Sequence, residues 1–363
     1  MTNAIRRNVF DDLFVLELAN NHWGRVERGI QIIREFGRVV RYNNVRAALK
    51  LQIRDIDTFI HPAFRDRADV RYIKKTMDTR ISRDELAVLA EEVRKNGMVR
   101  MATPFDERSV QTCVDLGVEI LKLASSDVND WMLIEAIAKT RKPVIASTGG
   151  TSLKDTDDLV TFFANRGIPL ALNHCVSLYP TEDAELELNQ IDFLRDRYPH
   201  VTIGFSTHEK GDWRYSVAIA YAKGARTFER HVDIDADGIP VSPYCSTPDQ
   251  VDEWFRAFRK VKEMCGAPGT QKRIPGEKEI RYLDALLRGV YAGRDLPAGY
   301  ALSDADVVLQ VPLQKGQLSC RELIGGMVLS QPLKAGEALT VDHVEGSYSH
   351  ASTMRAIIQS RGL

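Results

Sequence analysis

Eight short apolar runs, rich in β-branched residues and separated by amphipathic stretches, constrain this chain more than any other feature. They lie at Leu13–Leu18, Val45–Gln52, Met98–Thr103, Ile120–Leu123, Val144–Ser147, Leu170–His174, Val201–Phe205 and Thr227–His231. Runs of that length, apolar on both faces, suit parallel strands covered by helices. The stretches between them include Gly24–Val40, Ser82–Asn96, Ser109–Leu116, Val128–Ala138, Leu153–Ala164, Ala184–Arg197 and Trp213–Ala222. Eight strands with helices between them is the count of a closed (β/α)8 barrel, the α/β fold of the TIM-barrel type. An open doubly wound sheet is the rival architecture, but it needs no eighth repeat.

A barrel of roughly 250 residues does not use up this chain of 363. The expected catalytic barrel spans 1–264. Beyond Glu263 the texture changes: Cys265–Glu277 reads CGAPGTQKRIPGE, so a linker is expected over 265–284. A small β-rich module follows at 285–350, whose two halves each carry a short apolar strand and a turn, DLPAG and PLKAG. A core that small leans on something larger.

With 49 basic and 50 acidic residues the formal charge is −1, which gives no general attraction for nucleic acid or an anionic membrane. Any anion site must therefore be local. Cys113, Cys175, Cys245, Cys265 and Cys320 are spread out with no CxxC pair, which argues against a disulfide framework or a thiolate zinc site. MTNAIRRNVFDD has no apolar signal core, and no run of 18 apolar residues occurs, so the expected compartment is the cytoplasm.

Barrel enzymes carry their chemistry at the C-terminal ends of the strands. There this chain places Glu17, Asn21 and His22; Lys50 and Gln52; Thr103; Lys122, Ser125 and Asp127; Ser147 and Thr148; His174, Ser177 and Tyr179; Ser206 and His208; Glu229 and His231. Lys50 and Lys122 each end an apolar strand (RAALKLQ, EILKLAS) and should face the barrel mouth, where an ammonium needs a negative partner. Three readings are open: an internal ion pair with Glu17 or Asp127, a bound small dianion ringed by Ser125, Ser147, Thr148 and Ser206, or a Schiff-base lysine. A lone histidine at a strand end is commonly structural, but His208 and His231 end adjacent strands and can converge. Two imidazoles with water and substrate oxygens suit Mn²⁺ or a similar ion, whereas structural zinc would need more protein ligands. The loop STGG at Ser147–Gly150 is weak evidence for a phosphate cradle.

An ordered set of motifs resembles the sialic acid (N-acetylneuraminate) synthase family, which includes synthases of surface and spore-coat polysaccharide. The segments are ELANNHWG at Glu17–Gly24, LKLQ at Leu49–Gln52, ATPFDE at Ala102–Glu107, LKLASSD at Leu121–Asp127, IASTGG at Ile145–Gly150, LNHCVSLYPT at Leu172–Thr181, GFSTHE at Gly204–Glu209 and ERHVDID at Glu229–Asp235. They cover the whole barrel. The module after Arg288 resembles the antifreeze-like (SAF) domain that ends these synthases. The resemblance implies that Lys50, Thr103, Lys122, Ser125, Ser147, Ser177, Tyr179 and Ser206 bind substrate, chiefly the carboxylate and phosphate of phosphoenolpyruvate. It implies a divalent metal on His208 and His231, Mn²⁺ foremost with Mg²⁺ or Co²⁺ as alternatives. It gives Glu17, Asp127 and Gln52 the catalytic positions, and Arg288 a reach into the partner's barrel of a domain-swapped homodimer. The family pattern has Asn at the position of Ser177, Glu at that of Asp127 and SDH at 206–208. Its acid and histidine after the last strand are missing from PVSPYCSTP at Pro240–Pro248. The lost acid and histidine fall on the sugar side.

The expected reaction is condensation of phosphoenolpyruvate with an aldose, N-acetylmannosamine-like, to a 3-deoxy-2-keto acid with release of phosphate. A Schiff-base pyruvate aldolase on the same barrel and an inactive sugar-phosphate binding protein are the alternatives.

Overall fold

The structure, a computed structural model, describes residues 8–345 and 350–363. Residues 1–7, part of the segment read for a signal core, and 346–349, near the end of the expected module, lie outside it. The chain divides into two compact units, Met1–Gly266 and Ala267–Leu363.

The first unit is the (β/α)8 barrel. Its strands are β1 (Leu13–Ala19), β2 (Ala47–Ile53), β3 (Val99–Pro104), β4 (Ile120–Leu123), β5 (Val144–Ser147), β6 (Leu170–Cys175), β7 (Thr202–Thr207) and β8 (Thr227–His231), hydrogen-bonded in that order and closed. Each lies within two residues of the expected run. Closure comes from β8 pairing parallel with β1, which sets Glu229 opposite Val15 and His231 opposite Glu17.

Strand parity sorts side chains into two layers. Phe14, Leu16, Leu49, Leu51, Leu121, Leu123, Val144, Ala146 and Leu172 face outward into the large core shared with the helices. Leu13, Val15, Ala48, Met101, Ile120, Ile145 and Ala171 face inward and, with Phe10, plug the floor of the barrel. Two residues further along, the inward positions turn polar, and that change builds the site.

Gly204 of β7 sits on this polar level. A Cβ there would lie 1.8 Å from Thr227 Oγ1, 2.2 Å from Asn173 Oδ1 and 2.8 Å from the Thr227 carbonyl oxygen. The last is backbone and cannot swing away, so Gly204→Ala should destabilise the barrel by about 1–3 kcal/mol or more. Chemical denaturation would measure it, and an unchanged midpoint would show that β8 can shift freely.

Helix Pro248–Cys265 is not among the expected segments. Thr247 and Gln250 form a capping box, Pro248 begins the helix, and Val251, Trp254, Phe255 and Phe258 recur at helical spacing into the core, where three of the rings surround Phe14. Helix Arg71–Asp78, on the excursion after β2, is likewise additional.

In the second unit, β9 (Gly289–Ala292) pairs antiparallel with β10 (Val307–Gln310), and β11 (Val328–Leu329) with β12 (Val344–Glu345). The two similar turns meet: Leu296 and Leu333 exchange backbone hydrogen bonds of 2.8 and 2.9 Å. The stretch expected as a linker, 265–284, contains helix Glu277–Asp284, and helix Ser352–Ser360 extends the unit past 350 by placing Ile358 in its small core. Both are short amphipathic segments whose apolar side chains gain a place only from tertiary packing.

Candidate active site

At the C-terminal mouth of the barrel lies a cavity of about 900 Å³. Glu17, Lys50, Gln52, Thr103, Lys122, Ser125, Asp127, Ser147, Ser177, Tyr179, Ser206, His208 and His231 all line it. The structure thus brings together every barrel residue to which the resemblance gives a site role, with Asn21 and Glu229 beside them, whereas His22, Thr148 and His174 do not line the cavity: Thr148 donates to the Asn173 carbonyl oxygen and His174 lies 2.8 Å from that of Leu186. Arg288 is exposed on the second unit.

At the bottom of the cavity, the lysines meet acids. Lys50 Nζ lies 2.5 Å from Glu17 Oε2 and 2.6 Å from Glu229 Oε1, and Lys122 Nζ lies 2.8 Å from Glu229 Oε2. All four groups are buried, and two positive charges face two negative ones. The ion-pair partner expected among Glu17 and Asp127 needs correcting: Glu17 takes part, but Glu229, not Asp127, bridges the two ammonium groups. Glu229 points inward because it follows Thr227 by two on β8, and closure of β8 onto β1 carries it between β2 and β4. Lys50 and Lys122 hold the Glu229 carboxyl far below the usual range even though burial opposes this. Burial brings the Lys50 ammonium down to about 8 despite its two carboxylate neighbours.

Hydroxyls complete the floor. Lys122 Nζ donates to Ser147 Oγ at 2.6 Å and to Ser206 Oγ at 3.3 Å. Asn173, fully buried, donates to Ser206 Oγ at 3.0 Å and accepts from Thr227 Oγ1 at 2.5 Å, which fixes the serine. Ser125 Oγ accepts from the Gly149 amide at 3.1 Å. Gln52 donates to Glu17 Oε1 at 3.2 Å and accepts from Arg54 at 2.9 Å. Two buried oxygens on the cavity wall, Thr103 Oγ1 and Asp127 Oδ2, have no partner among the described residues. Orphaned polar atoms of this kind fit a site built for a polar ligand. Burial raises the Asp127 carboxyl above its ordinary value.

On the rim, the imidazoles of His208 and His231 stand with ring centroids 5.3 Å apart, and Tyr179 packs 4.1 Å from His208. His208 Nδ1 is 3.1 Å from the Val176 carbonyl oxygen; donation to it fixes the tautomer with a free Nε2. Burial brings His208 down to about 4 and His231 well below its ordinary value, so both rings are neutral, as ligands must be. Among the described residues no cluster of three or more His, Cys, Asp and Glu side chains is arranged to hold a metal. The pair therefore fits an ion that takes only two protein ligands and fills its remaining positions with water or substrate.

The pair is braced from outside the cavity. Glu209 follows His208, Arg230 precedes His231, and the two form a fully buried ion pair at 3.1 Å. Arg230 also donates to the Glu209 carbonyl oxygen at 2.9 Å and to Ser246 Oγ, while Glu209 accepts from Thr207 and Ser216. Glu209 and Arg230 were legible only as members of the motifs, since neither reaches the cavity. Arg54, Lys75 and Tyr244 line the cavity without having been singled out; they stand on excursions beyond the strands, where parity gives no signal.

A family model described as the NeuB family matches residues 44–269, and one described as the SAF domain matches 288–345. A solved structure from Chromobacterium violaceum, described as spore coat polysaccharide biosynthesis protein E, is 38% identical and superposes with a TM-score of 0.89 over 92% of this chain and 100% of its own. N-acetylneuraminate-9-phosphate synthase of Drosophila melanogaster is 25% identical over 346 residues, covering 87% of this chain and 91% of that protein. N,N'-diacetyllegionaminic acid synthase of Legionella pneumophila is 26% identical over 270 residues, 73% of this chain and 74% of the relative.

Proposed function

Because the chain belongs to the NeuB family of sugar-acid synthases and carries a SAF domain at residues 288–345, we propose that it condenses phosphoenolpyruvate with an aldose acceptor. The product is a 3-deoxy-2-keto sugar acid, and the other product is inorganic phosphate. The observation that carries this reading is the pair of buried ammonium groups beside two neutral imidazoles in one cavity.

Lys50 and Lys122 neutralise and orient the carboxylate and phosphate of the donor, displacing part of their contact with Glu229; Ser125, Ser147, Ser177, Ser206, Thr103 and Tyr179 complete that shell. His208 and His231 would hold a divalent cation, Mn²⁺ foremost, which when bound supplies Lewis-acid polarisation of the acceptor's carbonyl oxygen. The C2–C3 double bond of the donor supplies the electron pair for the new bond to the aldehyde carbon, and the aldehyde oxygen is protonated. Positive character left at C2 faces Glu17, whose other oxygen is held by Gln52. Water then adds at C2 with one proton passing to Asp127, and the C2–O bond to phosphate breaks as the remaining hydroxyl proton transfers to the departing phosphate, which leaves the ketone. Asp127 suits the base role because its Oδ2 is unpartnered and burial strengthens its basicity, whereas Glu17 is committed to Lys50.

The surroundings of Lys122 favour this over the Schiff-base aldolase. Its nitrogen donates to Glu229, Ser147 and Ser206, three acceptors that match the three protons of an ammonium rather than a nucleophilic amine. The test is to incubate the protein with Mn²⁺, a panel of hexosamines and phosphoenolpyruvate carrying ¹⁸O in the bridging position. Labelled inorganic phosphate appearing only with acceptor supports the condensation. Trapping of the protein by borohydride with pyruvate would support the aldolase instead, and no phosphate release with any acceptor would leave the inactive binding protein.

Lys122→Ala should raise KM for phosphoenolpyruvate by about tenfold or more, as expected when a charged hydrogen bond to a ligand is lost. In the parent, Lys50 sets the pH dependence. Its protonated form binds the anion, so kcat/KM for the donor should hold below pH of about 8 and fall above it. A profile flat up to a pH of about 10, near the value of an ordinary lysine, would remove Lys50 from the donor site.

The domain-swapped homodimer belongs to the same proposal, with Arg288 completing the acceptor side of the opposite subunit. Gel filtration at assay concentration should give an active dimer, and a fully active monomer would contradict it. Among the described residues no helix is long and apolar enough to cross a membrane.

A further inference from the structure

The cavity holds four cationic side chains, and only two of them are matched. Lys50 and Lys122 are neutralised by Glu17 and Glu229. Arg54 and Lys75, both on the excursion between β2 and helix Arg83–Lys95, line the same cavity and form no ion pair among the described residues.

Arg54 is held as a platform. Its guanidinium stacks 3.8 Å from the Phe105 ring centroid, donates to Tyr72 Oη at 3.0 Å and to Gln52 Oε1 at 2.9 Å, and thus presents itself with neutral partners only. Lys75 is half-buried on helix Arg71–Asp78, with its ammonium 5.7 Å from the Trp23 ring centroid and no hydrogen bond among the described residues. Burial pushes that ammonium below the ordinary lysine value, and Arg71 and Arg54 push the same way. Of the nearby acids, Asp233 is engaged by Arg28 at 2.8 Å, and Asp127, though close enough to feel the charge of Arg54, forms no ion pair with it among the described residues. Lys75 lines the cavity together with His231 and Tyr244, whose rings stand 5.2 Å apart. A desolvated cation without a counter-charge is unfavourable unless a ligand supplies one.

We infer that Arg54 and Lys75 form an anion subsite for the acceptor, so that the preferred aldose carries a phosphate or carboxylate at the end remote from its aldehyde. The inference rests on the condensation proposed above and adds the charge class of the second substrate. Arg54 offers a planar fork and Lys75 a point charge, a pairing that suits a tetrahedral or planar oxyanion.

The experiment compares kcat/KM for N-acetylmannosamine, its 6-phosphate and N-acetylmannosaminuronate, with phosphoenolpyruvate and Mn²⁺ saturating, in the parent and in Lys75→Gln. The parent should prefer one of the charged sugars over the neutral one by about tenfold or more, the phosphate and uronate arms separating the two anions, and the variant should lose most of that ratio. Equal use of neutral and charged acceptors by the parent would overturn the subsite while leaving the condensation standing. A rise in KM for phosphoenolpyruvate in Lys75→Gln, with the acceptor ratio unchanged, would overturn it by assigning the residue to the donor. If no acceptor turns over, the condensation itself fails, and calorimetric binding of N-acetylmannosamine 6-phosphate still decides the subsite. Weaker binding to Lys75→Gln than to the parent upholds it, and equal or absent binding sinks it.

Discussion

His208→Ala is expected to abolish turnover, by about a thousandfold or more, while the barrel stays folded. The size of the effect follows from how few ligands the protein offers. With two imidazoles and no third His, Cys, Asp or Glu grouped with them among the described residues, loss of one leaves a single ring that cannot hold a divalent ion at ordinary concentrations. The cost to folding is small by comparison. The His208 ring is neutral, makes one hydrogen bond to the Val176 carbonyl and packs on Tyr179, so its removal should cost about 1–2 kcal/mol. Titration with Mn²⁺ followed by electron paramagnetic resonance should show the bound fraction vanish in the variant, with circular dichroism unchanged. Retained Mn²⁺ affinity, or full activity in the variant after chelation, would end the metal role for this pair.

How much of this was legible in the sequence depends on the distance over which the information travels. The barrel was, because each strand advertises itself through an apolar run and each layer through parity: Ala48 with Lys50, Ile120 with Lys122 and Ile145 with Ser147 need only their own strands. The identity of the acid that meets the lysines was not. It depends on β8 closing against β1 in one register, Glu229 beside Val15, and those residues are far apart in the chain. A slip of one residue would have turned Glu229 outward and left Asp127 or Glu17 as the only partners. The excursion bearing Arg54 and Lys75 was opaque for a related reason: neither side chain lies on a strand, and nothing in local spacing points them inward. In the second unit, helix Ser352–Ser360 is short, and only Ile358 among its residues is buried in a way that ties it to the module.

Glu229→Gln tests the feature the sequence did not disclose, and its expected effect on stability exceeds that of any other single change proposed. The four buried charges of Glu17, Lys50, Lys122 and Glu229 balance. Glutamine keeps the shape and leaves one net positive charge in the floor of the barrel, at a cost of about 3–5 kcal/mol for breaking a buried pair. The cost must depend on pH, and the sign is fixed by Lys50. Its folded-state value, about 8 in the parent, lies below that of an unfolded lysine and would fall further in the variant. Between those values the unfolded chain binds more protons than the native one, so native stability rises with pH in that interval. The deficit of the variant relative to the parent should therefore be largest below the variant's own Lys50 value, shrink as the pH rises toward about 8, and level off above it, where Lys50 is neutral in both proteins. An added dianion should do the same work at neutral pH. Phosphoenolpyruvate or inorganic phosphate should raise the melting temperature of Glu229→Gln by more than that of the parent, because the ligand supplies the charge that the carboxylate no longer does. Equal ligand shifts in the two proteins, or a deficit that does not change with pH, would mean that the ammonium groups are balanced by something other than Glu229.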